Sequence, residues 1–192
     1  MEFSIFQTVL FTLFLINLVV LSLYDFKYKA VPDYLLLFAF FSSFFITKFD
    51  IFEALQSAFI ISGAFVILNF LVTFYIQNIK SRFLKNESLK TQTALGEGDI
   101  PLIASFGVIL GVYNTFIAIF LSAIVAMFYA IYLKNRKNEI EIPFIPFLVF
   151  GFLLEYFFNL SNIFKDFLLR LSNYLHSQLA ISFFPIFLGL FL

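Results

Sequence analysis

Two aspartates stand where a polar segment meets an apolar one. Asp25 lies near the end of the first long hydrophobic run, in Tyr24-Asp25-Phe26-Lys27-Tyr28-Lys29-Ala30-Val31-Pro32-Asp33, and Asp99 closes Gly96-Glu97-Gly98-Asp99 ahead of a later one. A pair of carboxylates can divide acid and base work. The ionised member takes a proton from water, while the protonated member hydrogen-bonds a carbonyl and steadies the developing oxyanion. Like charges a few ångströms apart cannot both ionise cheaply, so such a pair holds one proton between two sites. The glycines at 96 and 98 let the backbone turn tightly and approach a neighbouring chain without a Cβ in the way.

Other chemistries have little to work with. The chain has no cysteine and one histidine, which removes thiolate nucleophiles, disulfides and zinc–thiolate sites and leaves no histidine cluster for a metal. No cofactor or metal is expected, and His176 reads as a solvated residue of the tail. Each acid also has an ordinary reading. Asp25 can end a span and pair with Lys27 or Lys29, Asp99 can cap a helix with Pro101 in its first turn, and Asp33 is expected to cap the start of the second helix. Glu155 lies in an apolar run, where an ionisable group is costly at mid-depth; three residues from the end of its run, it is expected to snorkel outward.

The elements that must carry these acids follow from composition. With 62% hydrophobic residues, 12% charged residues and a mean hydropathy of +1.00, the chain reads as an all-α, polytopic integral membrane protein. The first apolar run reads as a retained span, since no basic segment precedes it. Its 33 phenylalanines read as compositional drift rather than as a binding surface. Apolar runs at 3–24, 34–47, 51–76, 100–112, 115–133 and 142–158 predict about six transmembrane helices, two of them separated by Tyr113-Asn114. Residues 1–158 would form the membrane-embedded domain and 159–192 an amphipathic and hydrophobic tail. In that tail Leu160, Ile163, Phe164, Phe167, Leu168, Leu171, Tyr174 and Leu175 share one helical face, with Lys165, Asp166 and Arg170 off it. Six spans put Lys27, Lys29, Lys80, Arg82, Lys85, Lys90, Lys134, Arg136 and Lys137 on one side. Basic residues mark the cytoplasmic side, so Asp25 and Asp99 are expected together at the cytoplasmic boundary.

Taken together, Tyr24-Asp25 with Val31-Pro32-Asp33, and Gly96-Glu97-Gly98-Asp99 followed by Leu102, Ile103, Ala104, Gly107 and Gly111, resemble the type IV prepilin peptidases, membrane proteases of the GxGD aspartyl class. A third piece, Ile142-Pro143-Phe144-Ile145-Pro146-Phe147-Leu148 with Gly151, is similar to that family's Pro-Phe-Gly-Pro-Phe-Leu segment. The resemblance implies that Asp25 and Asp99 are the catalytic pair and that Gly96 and Gly98 shape the active-site loop. It also implies a prepilin or pseudopilin substrate, of a type IV pilus or type II secretion system, that loses its basic leader on the cytoplasmic side of a bacterial inner membrane. The chain departs from the pattern at Pro101, where the family often has lysine, and at Ile145, where it has glycine. Lacking cysteine and a segment before the first span, it is similar to the short, peptidase-only form, for which no S-adenosylmethionine site is expected. Two other readings fit the same acids: a presenilin-like intramembrane protease, for which Leu95 before Gly96 speaks, and a small ion-coupled transporter that uses Asp25 and Asp99 as cation sites.

Overall fold

A computed structural model describes residues 5–80, 96, 98–137, 143–167 and 169–174. Arg82, Lys85, Lys90, Leu95, Glu97, Ile142, Leu168, Leu175, His176 and the 179–192 segment lie outside the described residues, as do the side chains of Lys80, Lys134, Arg136 and Lys137. The described chain is helical: α1 Ile5–Tyr28, α2 Asp33–Ile46, α3 Ile51–Phe74 continuing through a π-helical turn Tyr75–Lys80, α4 Asp99–Lys137 and α5 Ile145–Phe158. A sixth helix, α6 Leu160–Tyr174, follows α5 at a bend of 74°. Helices are what such a sequence can form in lipid, because each backbone N–H and C=O then finds its partner within the segment.

The long α4 is two helices in sequence. Gly111 has φ 77° and ψ 172° inside it, a conformation open to glycine and closed to residues with a Cβ. Contacts on either side show that the chain turns back there. Phe106 stacks on Phe152 at 4.4 Å between ring centroids, and Tyr129 meets Phe147 at 5.2 Å. A straight helix would set residues 106 and 129 about 34 Å apart, whereas 147 and 152 on α5 are separated by about 7.5 Å. The arms 99–110 and 112–137 therefore run in opposite directions, and both flank α5. Two threonines serve the carbonyls at the turn. Thr47 Oγ1 donates to Val108 O at 2.6 Å, and Thr115 Oγ1 donates to Gly111 O at 2.7 Å.

Other contacts fix the remaining directions. Phe11 stacks on Tyr156 and Phe14 meets Phe152 edge-on, while Asp25 reaches Ile145, so α1 runs antiparallel to α5. Asn17 Nδ2 donates to Leu35 O at 3.0 Å, tying α2 to α1. Gly107 packs against the backbone of Ser57 and Ala58 on α3, within a cluster of small residues at Ala54, Ala58 and Ala104. Gly151 lies against Ala118 O and Ser122 Oγ of the second α4 arm; small residues at such crossings let helix backbones approach in lipid. Buried hydroxyls at Ser42, Ser43, Ser105 and Ser122 donate to carbonyls three or four residues earlier in their own helices, which satisfies them without water. At the centre sit Phe14, Phe106 and Phe152, all fully buried. Outward faces carry Phe6, Phe41, Phe59, Ile67, Phe70 and Phe128, all exposed, as a lipid-facing surface requires.

Several expectations change. Three helices, Ile5–Tyr28, Ile51–Asn78 and Asp99–Leu133, pass a test of length and apolarity for crossing a membrane, or four if α5 and α6 count as one bent span; that count takes the two arms of α4 as one helix, and six spans are not confirmed. The 14 residues of α2 reach only about 21 Å, and the turn in α4 falls at Gly111 rather than at Tyr113-Asn114. Asp33 makes no cap: Pro32 is the N-cap of α2, with no side-chain bond, and Asp33 is an acid of the first turn. Glu155 does not snorkel. It is 1% exposed, and its Oε2 accepts the Ser161 N–H at 3.0 Å, because the chain bends back over it through Asn159, which is left-handed at φ 47° and ψ 48°. The tail helix does form, with Ile163, Phe164, Phe167, Leu171 and Tyr174 exposed and Lys165 Nζ 4.3 Å from the Tyr113 ring centre.

Two glycine substitutions separate these roles. Gly111→Ala forces a Cβ into a glycine-only conformation and is expected to cost about 1–3 kcal/mol, read as a lower thermal midpoint in detergent. Gly151→Ala, whose Cβ would run into Ala118 O, is expected to lower the midpoint as well. Gly63→Ala, with nothing within 4 Å of the new Cβ, is expected to leave it unchanged or raise it by the helix-propensity gain of about 0.5–1 kcal/mol.

Candidate active site

Asp25 stands in the last turn of α1. The helix ends just beyond it, where Lys29 takes a left-handed conformation at φ 52° and donates its N–H to Asp25 O at 2.9 Å. Its side chain turns inward and is 7% exposed. The carboxylate does not take the ordinary role of pairing with the nearby Lys27, whose ammonium lies over the Tyr28 ring. Instead Oδ2 accepts the backbone N–H of Ile145 at 3.0 Å, a buried bond between residues 120 positions apart. Ile145 is the first residue of α5. Its N-cap, Phe144, has no side-chain cap bond, so the first amide of that helix is satisfied by an acid from α1.

Asp99 opens α4 and is 5% exposed. Its carboxylate does not cap its own helix in the usual way, by reaching forward to the second or third amide. It turns back instead, and Oδ2 accepts the Gly96 N–H at 3.2 Å, while the Asp99 N–H donates to Gly96 O at 3.2 Å. These two bonds tie Gly96 and Asp99 to each other, one through the carboxylate and one through the backbone. Gly98 sits where a Cβ would lie 2.6 Å from Val31 Cγ2 and 3.2 Å from Leu36 Cδ1. The missing side chain at Gly98 thus lets the loop press against the α1–α2 connection and brings Asp99 to the end of the bundle that holds Asp25.

Asp99 is buried and lies within electrostatic reach of the Asp25 charge. Each carboxylate has one oxygen held by a backbone amide of a different segment, Ile145 for Asp25 and Gly96 for Asp99. Of the sequence candidates, Asp25, Asp99, Gly96 and Gly98 come together here. Asp33 stays in the first turn of α2, and Glu155 is at the opposite end of α5, beside Ser161. The Ile145 amide was not foreseen. Its signal was present in Pro143-Phe144-Ile145-Pro146, where a helix begins without Ser, Thr, Asp or Asn to receive its first amides.

Comparison with known proteins accords with this arrangement. No curated protein and no solved structure matches the chain. A family model does: that of the type IV leader peptidase family matches residues 12–131, a stretch that contains both aspartates and the Gly96–Asp99 loop and ends before α5. That match covers more than half of the sequence, and the chain belongs to the type IV leader peptidase family.

Proposed function

We propose that the protein is an aspartyl endopeptidase of the membrane, in which Asp25 and Asp99 are the catalytic pair and Gly96 and Gly98 form the loop that holds the second acid. The observation that carries this reading is that two buried carboxylates, remote in sequence, lie within electrostatic reach of each other at one end of a largely apolar helical bundle. One ionised carboxylate takes a proton from water as its oxygen adds to the scissile carbonyl, and the protonated partner hydrogen-bonds the carbonyl oxygen. When the tetrahedral adduct collapses, the C–N bond breaks and the leaving nitrogen receives the proton. Leader peptidase chemistry makes the substrate a prepilin or pseudopilin, whose basic leader lies outside the bilayer and whose hydrophobic helix lies within it. Lys27 and Lys29 beside Asp25, with the other basic residues assigned to that side by charge, support a cytoplasmic site in a bacterial inner membrane. No metal or cofactor is called on by this chemistry.

The test is leader removal from a co-expressed prepilin in isolated membranes. Asp25→Asn and Asp99→Asn are each expected to lower the cleavage rate by about 10²–10⁴-fold, the usual contribution of a positioned acid or base, whereas Asp33→Asn stays near wild type. Wild-type cleavage by either of the first two variants would sink the two-carboxylate reading. The wild-type rate is expected to fall on both sides of a pH optimum, since the pair works with one proton, and a rate that rises without limit toward high pH would contradict it.

A further inference from the structure

We infer that the backbone N–H of Ile145 is a positioning group for the reaction, so that the working site extends onto α5, beyond the stretch the family model matches. The inference rests on the reading of Asp25 as catalytic. Asp25 is the one acid of α1 and has two ways to turn, toward Lys27 in the same last turn of the helix or inward. The 3.0 Å bond from Ile145 holds it inward. The donor is a first-turn amide of α5, which has no acceptor inside its own helix; it is aimed outward along the helix axis at the positive end of the helix dipole, where a carboxylate is favoured. Phe147 and Leu148 both return their N–H groups to Phe144 O at 3.1 Å, so the first turn is closed and the Ile145 amide has a fixed direction.

What fixes the donor in space is the packing farther along α5. Phe152 is stacked on Phe106 and meets Phe14 edge-on, and Gly151 lies against Ala118 and Ser122. The Ile145 side chain is 2% exposed and faces Gly98, next to the loop that holds Asp99. One residue therefore has its amide on Asp25 and the end of its side chain facing Gly98, the residue before Asp99. Side-chain replacement leaves the amide in place, which is why a scan of side chains would pass over this group. A proline at 145 would remove the N–H, but it would also disturb Phe144, which is α-helical at φ −98° and ψ −30° and disfavoured before proline.

The experiment is an amide-to-ester replacement at Ile145, made by incorporating the α-hydroxy acid of isoleucine, with the same replacement at Val149 as a control inside α5. Losing a donor that orients a catalytic group is expected to lower kcat by about 10²-fold with KM within about threefold, while the control stays within about threefold in kcat. A second measurement needs no turnover. Hydrogen exchange of the Ile145 amide is expected to accelerate about tenfold or more in Asp25→Ala, with the Val149 amide unchanged. An ester at 145 that is no slower than the ester at 149, or an Ile145 amide indifferent to Asp25→Ala, overturns the inference. Cleavage at the wild-type rate by Asp25→Ala would instead remove the two-carboxylate reading itself, so the two failures are distinguishable.

Discussion

The reversal at Gly111 is the constraint on which the rest of the bundle depends. Without it the second arm of α4 would run out beyond the bundle, and α5 would have a wall on one side only. With it, α5 lies between two antiparallel arms, one bringing Phe106 to Phe152 and the other bringing Ala118 and Ser122 to Gly151. A turn this sharp strands carbonyls in an apolar place, where an unmet polar group costs several kcal/mol. The two threonine hydroxyls at 47 and 115 meet that demand, and the Phe49 ring lies over Gly111, 3.2 Å from where a Cβ would stand.

A second regularity concerns the buried acids. Asp25, Asp99 and Glu155 each give an oxygen to a backbone amide at a helix start or in a tight turn: Ile145, Gly96 and Ser161. The exchange suits both sides, because a carboxylate out of water needs donors and the first amides of a helix need acceptors. Two of these bonds belong to α5, one at its beginning and one just past its end. Glu155 keeps a second oxygen, Oε1, that is buried without a partner among the described residues.

Much of this was legible in the sequence, and the reasons differ by feature. Helical class and membrane embedding follow from hydropathy, which depends on composition and not on contacts. Asp25 and Asp99 could be singled out because each interrupts the boundary of an apolar run, and charge counting set them on the same side. The turn was expected two residues late because Asn114 looked like the break, whereas glycine's backbone freedom decided it. The fate of Glu155 was misread for a related reason: its distance from the end of a run suggests an outward path, but the left-handed Asn159 carries the next helix back across it. The partner of Asp25 was out of reach because a backbone amide leaves no trace in residue identity.

The Asp25–Ile145 bond also has an order in time. Its partners lie 120 positions apart, so a chain made from its amino terminus carries Asp25 through synthesis of four helical passes before the amide it needs exists. Neighbouring helices can pack as they emerge, since most of their contacts join segments adjacent in sequence. The contact between α1 and α5 is the one that closes the ring, and closure over so long a loop comes late. Until then Asp25 lacks the amide that holds it in the folded protein, and the newborn chain carries both acids before the candidate site is assembled.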